Sequence, residues 1–194
     1  DLSHFQILKD TIFPQVETRP GRPMRIWSAA CSSGQEPYNI SMTVEKYLSR
    51  NPGRLPGGVE ILGTDISNRI LDEAKKGVYC GISANRGLDA EEQRRYFTPK
   101  DECIEVRPEI RKRVSFRNLN ITQSYTILGR FDVVFCRNVL IYFSAEKKAD
   151  IIERIARTLN PGGYLFLGST ESMISHSNLF EMVRHGGGIV YRLK

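Results

Sequence analysis

The sequence contains no hydrophobic run that approaches the length of a membrane span, and its first residues do not resemble a secretory leader. Membrane insertion is therefore not expected. Cysteine is sparse. Cys31, Cys80, Cys103 and Cys136 lie far apart and form no CxxC pair, which leaves zinc-site and redox motifs without support. Reduced thiols in an intracellular enzyme are the expectation, with Cys136 buried at the end of an apolar run. The three histidines, His4, His176 and His185, are scattered, so neither a catalytic triad nor a metal cluster can be read, and no metal is expected. Internal repeats and low-complexity segments are missing too. The first glycine-bearing loop holds only Gly34, so the dinucleotide pattern GxGxxG is absent. That weakens a nicotinamide or flavin reading, because a pyrophosphate needs glycine-backed N–H groups at the helix start.

What is present suits one domain of 194 residues with room for a small insertion, at 40% hydrophobic and 26% charged residues. The net charge is +6, from 28 Lys+Arg against 22 Asp+Glu, a modest bias toward acidic partners or nucleic acid. Arg94, Arg95, Lys100, Arg107, Arg111, Lys112, Arg113 and Arg117 concentrate it, against Asp101, Glu102, Glu105 and Glu109. Such a run is either a solvated face or a surface for an acidic partner.

Periodicity gives the organisation. Phe5, Leu8 and Ile12 share a helical face that Pro14 should end, followed by a loop through Arg19-Pro20-Gly21-Arg22-Pro23. Strands are expected at Arg25–Ala29, Glu60–Thr64, Val114–Phe116, Phe131–Cys136, Tyr164–Gly168, Leu179–Arg184 and Ile189–Leu193. Helices fill the gaps: one with Pro37 in its first turn and Ile40, Val44, Tyr47 and Leu48 in line, one capped by Ser67, and one capped by Ser144. The last carries Ile151, Ile155 and Leu159 and should stop at Asn160-Pro161-Gly162-Gly163. Alternating strands and helices indicate a parallel sheet covered on both faces. His185-Gly186-Gly187-Gly188 suits a hairpin between the last two strands. Residues 81–113 interrupt the alternation with a short helix near Ala90–Phe97 and a strand at Cys103–Arg107.

The candidate site residues gather at strand ends. Ala30-Cys31-Ser32-Ser33-Gly34 is a small-residue turn between strand and helix, which lets a ligand approach the backbone at Ala30 and Gly34. Glu36 follows in the first helical turn. It binds a ligand ammonium or complements the helix dipole. Asp65, 31 residues after Gly34, ends an apolar strand where an acid can accept hydrogen bonds from two ribose hydroxyls, or complement the dipole at the start of the next helix. Asn120 and Ile121 suit the edge and face of a base, or a plain polar turn. Arg137 and Asn138 emerge at a strand's carboxyl end, where open α/β sheets bind ligands. Tyr142 projects toward the same crevice or packs beside Phe143.

Four stretches together resemble the CheR family of S-adenosylmethionine-dependent methyltransferases: Ile26–Tyr38, Gly63-Thr64-Asp65-Ile66-Ser67, Cys136-Arg137-Asn138-Val139-Leu140-Ile141-Tyr142-Phe143, and Pro161–Ser172. They occur in family order from about Phe5 to Tyr191. The resemblance implies an α/β class I methyltransferase fold, Rossmann-like, with a mostly parallel seven-stranded sheet, an antiparallel terminal hairpin and a small β-rich insertion. Activity would be methyl esterification of glutamates on the cytoplasmic helical domain of chemotaxis receptors, in the cytoplasm, with S-adenosylhomocysteine released. Cofactor contacts would fall on Ala30, Gly34, Glu36, Asp65, Asn120, Ile121, Arg137 and Asn138, and substrate positioning on Arg137 and Tyr142.

Some family members bind a receptor C-terminal peptide through a lengthened, glycine-containing loop in the insertion. Here Thr98-Pro99-Lys100-Asp101-Glu102 is short and lacks glycine, so no peptide tether is expected. The family also carries a helical N-terminal domain and a phenylalanine-rich motif with a cofactor-binding arginine. The sequence opens at Asp1-Leu2-Ser3-His4-Phe5, just past that motif's expected end, as a catalytic-domain fragment would.

The implied reaction needs little machinery. A glutamate carboxyl, with a pKa of about 4.3, is already ionised at neutral pH and needs no general base. The barrier lies in orientation and desolvation. Two other readings stay open: an RNA methyltransferase using the basic stretch, and a non-catalytic module that senses S-adenosylmethionine. Both leave the Arg137–Phe143 block without a specific role.

Overall fold

Both large cores grow from strands that carry apolar runs, Ile26-Trp27, Val133–Cys136 and Tyr164–Leu167, as expected where helices cover both faces of a sheet. The structure, a computed structural model, describes residues 3–16, 20–85, 87–169, 171 and 178–194. Arg19, His176 and the motif positions Thr170 and Ser172 lie outside the described residues.

Seven strands form the main sheet: β1 (Met24–Ala29), β2 (Val59–Asp65), β6 (Val114–Asn118), β7 (Phe131–Cys136), β8 (Leu159–Leu167), β9 (Phe180–His185) and β10 (Gly188–Leu193). Their order is β6-β2-β1-β7-β8-β10-β9. Strands β6, β2, β1, β7 and β8 pair in parallel, and β10 runs antiparallel to β8 and β9. This is the mostly parallel sheet with an antiparallel terminal hairpin that was expected. The chain leaves β1 toward β2 on one side and later returns to β7 on the other. The switch point therefore lies at the carboxyl ends of β1 and β7.

One core, on the side of helix α8 (Ala145–Thr158), contains Trp27, Phe131, Val134, Cys136, Ile151, Ile155 and Leu165. Trp27 is fully buried, and its indole N–H donates to the Thr64 hydroxyl at 2.9 Å. The opposite core takes the alternate residues Ile26, Val133, Phe135 and Phe166. It packs them against α3 (Gln35–Arg50) and the N-terminal helical segment. That segment consists of α1 (Ser3–Ile7), a π turn over Leu8–Ile12 and α2 (Phe13–Gln15). Pro14 does not end it. Proline is tolerated in the first turn of α2, and the helix reaches Gln15.

Ser67 and Ser144 cap α4 (Asn68–Lys76) and α8, accepting from the N–H groups of Ile70 and Lys147. The stop after α8 differs from expectation. The helix ends at Thr158, and Leu159 already belongs to β8, paired with Phe131. Asn160-Pro161-Gly162-Gly163 thus lies within a strand, beside an irregularity in register between Phe131 and Val133.

The insertion is a three-stranded antiparallel sheet of order β3-β5-β4, made of β3 (Val78–Cys80), β4 (Phe97–Lys100) and β5 (Cys103–Val106). It begins three residues before the expected boundary at 81. Helices α5 (Ile82–Asn85), α6 (Ala90–Tyr96) and α7 (Pro108–Arg111) surround it. Tyr79, Tyr96, Phe97, Val106 and Ile110 join Tyr38 and Met42 of α3 in a third core. The expectation of four thiols is corrected here. Cys80 and Cys103 face each other across β3 and β5, with Cα atoms 4.3 Å apart, and form a disulfide. A separation of 23 residues hides this partnership from sequence spacing. Cys31 and Cys136 are free and buried.

Candidate active site

The loop after β1 is held in an unusual backbone conformation. Ala30, Ser32 and Gly34 all have positive φ, at 54°, 53° and 93°. Two are not glycine, a strain on the order of 1 kcal/mol each that surrounding contacts must offset. At Gly34 the glycine is doubly required, since a Cβ would lie 3.0 Å from Ala74 and 3.1 Å from the Phe116 ring.

Those surrounding contacts are specific. The Cys31 N–H donates to the Thr64 carbonyl at 2.8 Å. Ser32 N–H donates to Asp65 Oδ2 at 3.0 Å, and Ser67 N–H donates to Asp65 Oδ1 at 3.0 Å. Asp65 therefore ties the β1 loop to the start of α4 while both oxygens retain further lone pairs. The Tyr79 hydroxyl, from the insertion, donates to the Ser33 carbonyl at 2.8 Å. Burial pushes the neighbouring Cys31 thiol up to about 12, which favours its neutral form.

Glu36 and Arg137 meet between β1 and β7. Glu36 Oε2 accepts from Arg137 Nη1 at 3.2 Å, and Oε1 accepts from the Ser28 hydroxyl at 2.7 Å. Only 20% of the Glu36 side chain and 14% of the Arg137 side chain are exposed. Burial raises the Glu36 pKa, opposed by Ser28 and Arg137, which favour the charged form. Arg137 Nε is buried without a hydrogen-bond partner among the described residues. A buried donor in that state is costly and suits a ligand carboxylate.

On the other side of β2, Asp65 pairs with Asn118, and the Leu119 N–H donates to the Asp65 carbonyl at 3.0 Å. Asn120 follows directly. Its Oδ1 accepts from the Thr122 N–H and hydroxyl, while Nδ2 has no partner among the described residues. Ile121 is partly buried against the α8-side core. Ile66, just after Asp65, is 66% exposed, an apolar face beside the acid.

Beyond Arg137 the chain turns sharply. Asn138 has φ 61°, and Leu140–Tyr142 form a 3-10 turn. Tyr142 is 79% exposed, which removes the reading of a packing partner for Phe143. The structure thus brings Glu36 to Arg137 and Asp65 to the β1 loop. It sets Asn120, Ile121, Asn138 and Tyr142 along the same strand edge. Sequence reasoning missed Ser28, Tyr79, Ile66 and Glu171. Ser28 had a signal, a lone hydroxyl inside the apolar run Ile26-Trp27-Ser28-Ala29. Tyr79 sits on a three-residue strand with no periodicity to read.

The family described as CheR methyltransferase, SAM binding domain, matches residues 1–188. The chain belongs to the CheR methyltransferase family. It is 49% identical over 196 residues to chemotaxis protein methyltransferase 1 of Pseudomonas aeruginosa, covering 100% of this chain and 72% of the relative. Chemotaxis protein methyltransferase Cher2 of Pseudomonas putida is 47% identical, with 100% and 71% covered. The chemotaxis protein methyltransferase of Escherichia coli is 35% identical, with 98% and 64% covered. In a CheR domain the cofactor is S-adenosylmethionine, and the cradle fits it. The orphaned Arg137 Nε suits an amino-acid carboxylate, Asp65 suits ribose hydroxyls, and the unpartnered Asn120 Nδ2 suits a base edge.

Proposed function

We propose that this domain methylates glutamate side chains of chemotaxis receptors in the cytoplasm, forming methyl esters. The observation that carries this reading is Tyr142, 79% exposed on the strand edge that also presents Arg137. An aromatic hydroxyl left in solvent beside a cofactor cradle has little structural purpose. It is suited to hold a substrate carboxylate. The names of the relatives, all chemotaxis methyltransferases, support the same substrate class.

When bound, S-adenosylmethionine supplies an electrophilic methyl group on a sulfonium centre. Asp65 would accept hydrogen bonds from the ribose hydroxyls, and Asn120 with Ile121 and Ile66 would hold the base. Glu36, Arg137 and Asn138 would grip the amino-acid end, and Ala30 and Gly34 would let it approach the backbone. Tyr142 orients the attacking carboxylate and Arg137 limits its motion. No residue need take a proton, because the nucleophile is ionised at neutral pH. Strong ion pairing to that nucleophile would oppose a charge-neutralising step. The arginine's engagement with Glu36 is therefore favourable.

The RNA reading loses support from the basic stretch. Arg113 pairs with Glu45, and Lys100 with Glu105. Arg107 and Arg111 donate to the carbonyls of Arg94 and Lys75. Arg113 and Lys100 are thus partly neutralised, and Arg107 and Arg111 are held against the domain's own backbone. The peptide tether is also left out: β4 and β5 are joined by only Asp101 and Glu102, with no extended loop to receive a peptide strand. Receptors lacking a C-terminal peptide should be methylated as well as intact ones.

Transfer of tritiated methyl to a receptor cytoplasmic fragment, compared with RNA, tests the reading. Base-labile label on the receptor supports it. Label on RNA, or S-adenosylhomocysteine binding without any transfer, replaces it with one of the other two readings.

A further inference from the structure

The turn that presents Arg137 and Tyr142 is wound around one carboxylate. Glu171 Oε1 accepts from the backbone N–H groups of Asn138 and Gly168, both at 2.8 Å. Glu171 Oε2 accepts from the Leu140 N–H, also at 2.8 Å. The Glu171 N–H in turn donates to the Gly168 carbonyl at 3.0 Å. Three main-chain donors from the ends of β7 and β8 thus converge on one side chain. Hydrogen bonds to a charged acceptor are about twice as strong as neutral ones.

Space is as restrictive as bonding. A Cβ at Gly168 would lie 2.7 Å from Glu171 Oε1, 3.0 Å from the Asn138 nitrogen and closer still to Asn138 Oδ1. Asn138 itself is held at φ 61°, a conformation that costs energy without such support. The backbone concavity is of the kind that binds anions. It is poorly suited to the substrate carboxylate, because three N–H donors would withdraw density from the attacking oxygen.

We propose that Glu171 is a positioning residue for methyl transfer: by holding the N–H groups of Asn138 and Leu140 it sets where Tyr142 stands over the reacting carboxylate. It touches neither substrate nor cofactor. The inference rests on the methyltransferase reading above.

Glu171→Gln keeps the shape but turns one acceptor oxygen into an NH2 group facing an N–H. Misplacing a reacting geometry by about 1 Å can cost on the order of a hundredfold in rate. The kcat for receptor methylation should therefore fall at least about tenfold, while the Kd for S-adenosylhomocysteine stays within about fivefold. Glu171→Asp, which retains the charge, should recover part of the rate. Gly168→Ala should reproduce the kinetic loss with the carboxylate intact, and the double variant should lose no more than either single one. Backbone hydrogen exchange over residues 137–142 should accelerate in Glu171→Gln but not over residues 30–34. Unchanged kcat, a loss fully explained by unfolded protein, or an equal loss of cofactor affinity overturns the proposal. If the wild-type domain methylates no receptor fragment, the substrate reading fails. Hydrogen exchange then still decides whether Glu171 holds the loop, and unchanged exchange overturns it.

Discussion

The loops after β1 and β7 face one another across the switch point, and they are secured in different ways. The β1 loop, residues 30–34, keeps positive φ at three positions through ties from its surroundings: Asp65 on β2, the Thr64 carbonyl, and Tyr79 from the insertion. The β7 turn has one carboxylate that gathers N–H groups from two strand ends, beside its own backbone bonds to the Val139 and Leu140 carbonyls. The first has its supports distributed over β2 and the insertion. In the second, one side chain gathers three N–H groups, and Leu140 adds burial in the α8-side core. A loop with distributed supports suits a tight grip on the cofactor, and a turn gathered on one carboxylate suits fine placement of a substrate group.

The largest expected effect breaks the first loop at its main tie. Asp65→Ala removes the Ser32 and Ser67 anchors together with the proposed ribose acceptor. S-adenosylhomocysteine binding should weaken by about 1–3 kcal/mol, roughly tenfold to over a hundredfold, by calorimetric titration. Unchanged affinity in a well-folded variant would take Asp65 out of the site. On the opposite loop, Tyr142→Phe should lower kcat about tenfold, a barrier change of ~1.4 kcal/mol, and leave cofactor affinity intact. Normal turnover at saturating receptor would leave Tyr142 without a role in positioning.

A smaller effect sharpens the contrast. Tyr79→Phe keeps the ring in the third core but removes one of several ties to the β1 loop. Affinity for S-adenosylhomocysteine should drop only by about 0.5–1.5 kcal/mol, and kcat at saturating cofactor should hold. A kcat loss with intact affinity would mean that the insertion acts on the substrate side.

The remaining effect is on stability rather than on activity. His4 Nε2–H donates to the Leu167 carbonyl at 3.1 Å, and the ring is buried against Phe166. Burial, followed by the charge of Arg137, lowers its pKa to about 4. The unfolded chain binds a proton there near pH 6.5 and the folded chain does not. Stability from this residue is therefore full above pH 6.5 and falls as pH drops toward 4. A Tm measured from pH 7 to pH 5 should decline, and His4→Gln should flatten that slope. Identical slopes would exclude His4 as the cause.

How far the sequence disclosed these features follows from how local their causes are. The β1 strand, its small-residue loop and α3 lie within residues 24–50, and their periodicity and turn residues announced them. Ser67 and Ser144 capped where expected for the same reason. The early start of β8 was hidden because Asn160-Pro161-Gly162-Gly163 reads as a breaker, yet pairing of Leu159 with Phe131 makes it a strand. Strands β3 and β4, of three and four residues, are too short to show a period. The bonds of Glu171 span up to 33 residues, and no spacing rule points to them.

The hydroxyl of Tyr79 has a consequence for protein engineering. Such insertions invite use as interchangeable cassettes, swapped between homologues to redirect partners. In this domain β3 is also a wall of the loop after β1, since its tyrosine holds the Ser33 carbonyl and its ring meets Tyr38 edge-on at 6.3 Å. A graft cut at the sheet's own boundary would import a new partner surface and discard a brace of the reaction chamber. A working chimera has to be cut after Tyr79, or carry Tyr38, Tyr79 and Phe116 across as one unit.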